Sequence, residues 1–404
     1  MHKNFFLSQN FRKNCKSLLF FSFLTSIVFL TFISISFSKL LENKVYTEST
    51  DQSNYSNDIT NSKQNAITKA ISKTRDAVVG INVIEVQEVI YNPFTNDPFF
   101  NFFAPFTSRK ALRKVQGLGS GFIISEDGYI LTNHHVAGNA KKIIVTLTDG
   151  SKYNAELIGS DMVSDIALLK IEADKLPFIK LANSDDLIIG EWAIAMGNPF
   201  GLFDINSKPT VTVGVVSNLG INFINEDRPF NRVYKNMIQT DAAISSGNSG
   251  GPLLNSNGDA IGMNTVIYST AQSNEGAGSI GIGFAIPINR IKEVVNELQD
   301  KGKIERAVYS GLEVDNIDEN YVSNYNLPDE FGVIITRIYR NSPADKAGLE
   351  PADVIRSING TSIYHSNDFL VEILDGKIGE EFKLEIYREG KILKKTLILE
   401  SARR

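Results

Sequence analysis

Between residues 115 and 290 short apolar runs alternate with glycine turns, and this rhythm limits what the stretch can fold into. Phe122-Ile123-Ile124 and Tyr129-Ile130-Leu131 flank Glu126-Asp127-Gly128, and Ile143 to Leu147 runs into Asp149-Gly150. Asn257-Gly258 separates Pro252-Leu253-Leu254 from Ala260-Ile261-Gly262. Asp-Gly and Asn-Gly pairs tolerate the positive φ angles that tight hairpins need, so the pattern predicts an all-β barrel or sandwich. No long amphipathic helix interrupts until Asn289–Lys301, which Gly302 closes; residues 289–303 are expected to form a linker helix. Residues 304–402 repeat the mixed style on a smaller scale. Val333 to Tyr339 is strand-like, Ser342 caps a short helix with Pro343 at its first position, and Gly348 ends it. Val354 to Ile358 turns at Asn359-Gly360, a second helix is expected near Asn367–Leu374, and two strands finish around Arg388-Glu389-Gly390.

The first forty residues stand apart. Residues 1–16 carry Lys3, Arg12, Lys13 and Lys16 with no acid, and Leu18 to Phe37 is twenty residues without a charge. As a helix that run spans roughly 30 Å, the depth of a bilayer core. It exceeds a usual signal h-region of about 7–15 residues, which favours a retained anchor over 17–38. Ser36-Phe37-Ser38 keeps a cleaved signal as the alternative. The basic leader stays in the cytoplasm and sends the rest across, so either reading exports the chain. Residues 39–64, rich in Ser, Asn, Thr, Asp and Gln, read as a flexible linker. Residues 91–106 hold six phenylalanines broken by Pro93, Pro98 and Pro105, an aromatic loop that packs on its own domain or on a partner.

Composition removes several classes of function. A net charge of −5 argues against nucleic-acid binding. The single cysteine, Cys15, precludes an intramolecular disulfide, and no Cys/His cluster offers a zinc site, so no metal or cofactor is expected. Four histidines occur: His2, His134, His135 and His365.

Gly247-Asn248-Ser249-Gly250-Gly251-Pro252 is the string with chemical promise. A serine hydroxyl is a weak nucleophile, and glycines beside it let the backbone turn sharply and aim N–H groups at one point, where an acyl transfer develops negative charge. Such a serine needs a base. Thr132-Asn133-His134-His135-Val136 ends a predicted strand, and Ser164-Asp165-Ile166-Ala167-Leu168-Leu169 brings an acid into an apolar one. The order His, Asp, Ser is that of chymotrypsin-like triads. The α/β-hydrolase elbow needs a helix and a histidine after the serine; Pro-Leu-Leu and a turn follow instead, and His365 lies in the small domain. A metal at His134-His135 is weak, because neighbours in a strand face opposite sides. One of the pair is expected to be solvated, and that one is His134. Asp161 competes with Asp165 for the acid role, but it reads as a turn residue while Asp165 abuts the apolar strand.

Gly119-Ser120-Gly121-Phe122-Ile123-Ile124, Thr132 to Val136, Ser164 to Leu168, Asp241-Ala242-Ala243-Ile244 through Pro252, and Gly281-Ile282-Gly283-Phe284-Ala285-Ile286-Pro287 together resemble the HtrA (Deg) family of serine proteases. The resemblance covers roughly residues 65–402. It implies a mainly β architecture: a chymotrypsin-like pair of six-stranded β-barrels over 65–288, followed by an α+β PDZ domain over 304–402. It also implies a triad of His135, Asp165 and Ser249, with backbone oxyanion donors at Gly247 and Asn248. Val308-Tyr309-Ser310-Gly311-Leu312 falls at the carboxylate-binding loop of a PDZ domain, so Tyr309, Ser310, Gly311 and Leu312 are expected to hold a peptide C-terminus. Ala243, six residues before Ser249, is expected at the base of the S1 pocket, where a small uncharged side chain favours small aliphatic P1 residues. Asn248 lacks the charge that pairs with a newly cut N-terminus in digestive relatives, so control is expected to come from loops that arrange the oxyanion hole, biased by peptide on the PDZ domain.

The resemblance implies a periplasmic, ATP-independent endopeptidase in protein quality control or stress signalling. A homotrimer is expected, acting on misfolded or specific envelope proteins and held at the membrane by its N-terminal segment. One PDZ domain with an anchor is closer to signalling members, whereas the phenylalanine loop is closer to broad-acting ones. Two other classes stay open at this point: a chaperone or peptide-binding scaffold with little turnover, and a PDZ adaptor.

Overall fold

The computed structural model describes residues 63–91, 109–198, 208–225, 232–245, 247–267, 281–306 and 308–402. The basic leader, the 17–38 segment, nearly all of the 39–64 linker and the phenylalanine loop beyond Tyr91 lie outside the described residues. Among the described residues no helix is long and apolar enough to cross a membrane.

Asn65 caps the first described helix, α1 (Ala66–Thr74), its side chain accepting the Thr68 N–H in a capping box. Six strands then close a barrel: β1 (Val78–Tyr91), β2 (Arg109–Ile123), β3 (Tyr129–Thr132), β4 (Lys142–Thr146), β5 (Lys152–Asp161) and β6 (Ile166–Lys170), in the order β1-β2-β3-β6-β5-β4. One helical turn, α2 (His134–Ala137), leaves β3. The second barrel is built from β7 (Trp192–Gly197), β8 (Thr210–Asn225), β9 (Arg232–Thr240), β10 (Pro252–Leu254), β11 (Ala260–Ile267) and β12 (Gly283–Pro287), in the order β10-β11-β12-β9-β8-β7. The glycine turns work as their sequence implies. Gly128 sits at φ +102°, and a Cβ there would come within 2.4 Å of the Ile171 carbonyl oxygen. The apolar run that enters at Ile166 becomes β6, buried over Ile166–Leu169 on both faces. Phe122, Ile130, Leu131, Leu168 and Leu169 are fully buried, and each such side chain contributes about 1.5–3 kcal/mol.

Helix α3 (Ile288–Lys301) presents Ile288, Ile291, Val294, Val295 and Leu298 at helical spacing, all buried. It lies on β5 and β6 of one barrel and β11 and β12 of the other. Gly302, at φ +70°, ends it with its N–H on the Leu298 carbonyl.

The last domain begins with β13 (Val308–Tyr309) and β14 (Leu312–Asn316), then α4 (Glu319–Tyr325), β15 (Val333–Ile338) and α5 (Pro343–Lys346). It continues through β16 (Val354–Ile358), β17 (Thr361–Ser362), α6 (Ser366–Asp375), β18 (Glu381–Arg388), β19 (Lys391–Ile398) and β20 (Glu400–Ser401). Its sheet runs β14-β15-β16-β18-β19, with β17 on β16, and β13 pairs with β20. Helix α4 adds to the two helices expected; it is a single short element held by its Asp318 cap and by Asn326 in the left-handed region.

A knot of charge joins this domain to the barrels. The Arg306 side chain, just before β13, is 6% exposed and donates to Asp161 of β5 at 2.7 Å and to Asp375 at the end of α6 at 2.7 Å. Arg290 of α3 grips the same Asp375 with two bonds of 2.7 Å, and Lys235 of β9 reaches Glu372 of α6 at 2.8 Å. Asp161, expected as a turn residue, is the buried last residue of β5, and it is buried because Arg306 neutralises it. Burial alone would raise the Asp375 carboxyl, but the charges and hydrogen bonds of Arg290, with Arg306 and Lys235 beyond, hold it below the usual range.

Truncating one partner of a buried network strands the rest. Arg306→Ala is expected to cost about 3–5 kcal/mol, measured by urea unfolding; a loss under about 1 kcal/mol would show that Asp161 and Asp375 do not depend on it. Because the Asp375 value is depressed, its stabilisation is present above the unfolded carboxylate value near 4 and fades as pH falls through the folded one.

Candidate active site

Five short pieces of chain build the site. The Thr132–Val136 string does not stay in a strand: after β3 it winds into α2, which places His134 and His135 about 100° apart around a helical turn rather than on opposite faces of a sheet. Asp165 fixes that turn through its backbone. Its carbonyl accepts the His134 N–H at 3.1 Å and Asn133 Nδ2 at 3.0 Å. Asp165 itself sits at φ +60°, where a non-glycine residue persists only if its surroundings hold it.

The Asp165 side chain has no solvent exposure. It accepts His135 Nδ1 at 2.7 Å on Oδ2 and the His135 backbone N–H at 3.0 Å on Oδ1. Thr265 Oγ1 of β11 donates to Oδ2 at 2.9 Å, and the Tyr234 hydroxyl of β9 lies 3.4 Å from the same oxygen. Arg232 Nε stands 3.8 Å from Oδ1. Burial pushes this carboxyl up, but His135, through charge and hydrogen bonds, and Arg232 outweigh it and hold the group ionised, below its usual range. Burial first, and the Asp165 charge second, push the Tyr234 phenol upward, so it remains a donor.

Ser249 is half-buried between Gly247 at φ +94° and Gly250 at φ +86°. Its Oγ donates to the Thr265 carbonyl at 2.8 Å, and no described hydrogen bond joins it to His135. Thr265 therefore touches the acid with its side chain and the serine with its backbone. The Asn248 N–H, expected as an oxyanion donor, is engaged by the Ser245 carbonyl at 3.0 Å. An N–H so engaged is not offered to an oxyanion, which corrects the expectation for Asn248. Ala243 is exposed, and its carbonyl accepts Thr212 Oγ1 at 2.7 Å.

His134 is not solvated, contrary to expectation. The ring is 6% exposed, its Nδ1 lies 3.0 Å from Ser160 Oγ, and its Nε2 is buried without a partner. The cause is α2, which turns the ring inward against Gly138. Among the described residues no group of three or more His, Cys, Asp or Glu is placed to hold a metal.

In the last domain β13 leads through Ser310 and Gly311, at φ +76°, into β14, the edge strand of its sheet. The Ser310 carbonyl accepts the Ala344 N–H and the Gly311 carbonyl accepts the Tyr339 N–H, each at 3.0 Å. In a planar trans peptide this turns the Gly311 N–H the other way, off the Ala344 side. Tyr309 belongs to β13 and Leu312 opens β14, with α6 nearby. Sequence reasoning missed Thr265, Tyr234 and Arg232, which carry no local signal and meet Asp165 only where the second barrel packs against the first.

Two closed six-stranded barrels with this His-Asp pair beside a glycine-framed serine, and a small domain with a free sheet edge, define a trypsin-like peptidase carrying a PDZ module. The trypsin-like peptidase domain family matches residues 119–263, and the PDZ domain family matches residues 296–399. The chain is 44% identical over 308 residues to a protein of Chlamydia trachomatis serovar D named a probable periplasmic serine endoprotease, DegP-like, covering 75% of this chain and 59% of that one. A protein of Hahella chejuensis with the same name is 40% identical over 292 residues, 72% of this chain and 59% of its own length. The chain thus spans about three fifths of these curated relatives. The HtrA-type protease AlgW, solved with a decapeptide, superposes with a TM-score of 0.61 at 32% identity, covering 83% of this chain and 99% of that one. The chain belongs to the HtrA family of serine proteases.

Burial, the largest effect, lowers the His134 pKa; Asp165 and Asp161 raise it, and Arg232 and His135 lower it further. The folded chain thus prefers the neutral ring, the unfolded chain binds the extra proton below about pH 6.5, and stability falls with acid below that point until the depressed folded value is reached. His134→Asn is expected to flatten the fall in urea midpoint between about pH 6.5 and 5. An unchanged slope would mean that this ring is not the buried neutral base described.

Proposed function

We propose that this chain is an ATP-independent serine endopeptidase of the periplasm, working through an acyl-enzyme at Ser249 in protein quality control or stress signalling. The observation that carries the reading is the 2.7 Å bond between His135 Nδ1 and a carboxylate without solvent exposure, set beside a serine in a glycine frame. Asp165 holds the imidazole with Nε2 unprotonated, ready to take the Ser249 proton. Ser249 Oγ then attacks the peptide carbonyl, and the oxyanion forms against the backbone N–H groups of Gly247 and Ser249. Collapse expels the amine, which takes its proton from His135. Water, deprotonated by the same ring, releases the acid and restores the serine.

Ser249 donates to Thr265 rather than His135, which is the arrangement of a resting centre that needs a signal. A route for that signal runs through α6, which stands beside the free edge of β14 and grips Lys235 of β9 through Glu372. The neighbouring residue on β9 is Tyr234, whose hydroxyl reaches Asp165. A peptide C-terminus held by Tyr309, Ser310, Gly311 and Leu312 would press on α6 and so bias the triad. Ala243 at the base of S1 suits small aliphatic residues, and Asn248 rules out pairing with a new N-terminus. Misfolded or specific envelope proteins are the proposed substrates, a homotrimer the proposed assembly, and the 17–38 segment the proposed tether to the inner membrane.

Peptides differing only at P1 test the reading. Valine there is expected to be cut at least tenfold faster than lysine, a gap that one pocket contact supplies. A C-terminal peptide that binds the PDZ domain is expected to raise the rate, and Ser249→Ala to abolish it. Cleavage after lysine at an equal rate would overturn the pocket assignment. Equal rates with and without bound peptide would overturn the regulation, and the absence of cleavage under every condition would favour the scaffold.

A further inference from the structure

Ser120 lies on β2 in the first barrel, is fully buried, and touches both flanks of Ser249 in the second. Its backbone N–H donates to the Ser249 carbonyl at 2.9 Å, and its Oγ donates to the Gly247 carbonyl at 2.5 Å. The same Oγ accepts the Asn198 N–H at 2.7 Å, just past the end of β7, so its proton is directed at Gly247. Thr132 Oγ1 of β3 holds the Ser120 carbonyl at 2.7 Å. The approach is close enough to require glycines opposite. A Cβ on Gly250 would come within 2.1 Å of the Ser120 carbonyl oxygen, and one on Gly197 within 2.9 Å of its Oγ.

These contacts clamp two peptide planes from both sides. The Gly247–Asn248 unit has its carbonyl on Ser120 and its N–H on Ser245. The Ser249–Gly250 unit has its carbonyl on Ser120 and its N–H on the Asn264 carbonyl at 2.9 Å. A peptide unit is planar, so fixing its two polar ends fixes its orientation. Between the clamped planes lies the backbone that carries the Ser249 N–H, and immediately before them the Gly247 N–H. The geometry points to Ser120 as a positioning residue for the reaction: a hydroxyl supplied by the first barrel that sets the oxyanion donors of the second. It does not touch substrate. It acts by holding Gly247 and Ser249 where a developing oxyanion is stabilised, and removing such a donor directly costs about a hundredfold to a thousandfold in kcat. This inference rests on Ser249 being the nucleophile.

The test uses the full chain with Ser120→Ala and Ser120→Cys, reading kcat and KM on a valine-P1 peptide, affinity for the corresponding peptide boronic acid, and thermal unfolding. Misplacing rather than deleting the donors is expected to lower kcat of Ser120→Ala about tenfold to a hundredfold. KM is expected to stay within about threefold, and boronic acid affinity to fall in step with kcat. The shape of the pH profile is expected to stay that of the unaltered chain. Ser120→Cys, with a longer and weaker S–H donor, is expected to fall between the two, and it decides the matter if the alanine variant does not fold. A folded variant with wild-type kcat, or one that loses activity only through KM, would overturn the assignment. Fluorophosphonate labelling of Ser249 in the unaltered chain separates the two failures. Labelling with an indifferent Ser120→Ala sinks only the positioning role, whereas no labelling removes the nucleophile and this inference together.

Discussion

A charged carboxylate with no access to water is the constraint around which the site is organised. Asp165 remains ionised in the interior only because donors converge on it from three elements: α2 through His135, β9 through Tyr234 and β11 through Thr265. Its backbone, at φ +60°, carries the start of α2 as well, so the group that polarises the imidazole also sets the turn on which the imidazole sits. Packing of the second barrel against the first is what brings those elements within reach. The site is therefore a consequence of how the two barrels meet.

The same seam bears on the proposed regulation of the centre. The His135–Asp165 pair belongs to the first barrel and Ser249 to the second, and Ser249 Oγ is turned to Thr265. The proposed regulation then turns on a small shift of the second barrel against the first. Two further sets of contacts bear on that shift. Ser120 crosses the seam beside Gly247 and Ser249, and the knot formed by Arg306, Asp375, Arg290 and Lys235 ties the PDZ module to both barrels. Buried charge suits such a joint, because a partly opened pair costs more than either the closed or the fully hydrated one.

Much of this was legible in the chain itself. The glycine turns at Gly128, Gly150 and Gly258 marked hairpins because only certain residues tolerate their backbone angles, and all three lie at positive φ. The amphipathic period of α3 and its Gly302 stop were equally local signals. The family resemblance pairs His135 with Asp165, and the structure brings the two into contact. What escaped were facts of long-range pairing. Asp161 read as a turn because nothing near it in sequence announces Arg306, 145 residues away. His134 reads as solvated if the strand continues through it, but a helical turn forms there. Asn248 read as an oxyanion donor because adjacency in sequence does not reveal that Ser245 engages its N–H. Ser120 lies within Gly119–Ile124, yet its proposed role depends on carbonyls more than a hundred residues further on.

The claim that a His135–Asp165 pair activates Ser249 is tested most directly by mapping fluorophosphonate adducts by mass spectrometry, with and without a PDZ-binding peptide. The account predicts one adduct, on Ser249, formed faster with peptide and lost in His135→Ala. No adduct at Ser249 under either condition, or labelling that survives loss of His135 undiminished, would contradict it.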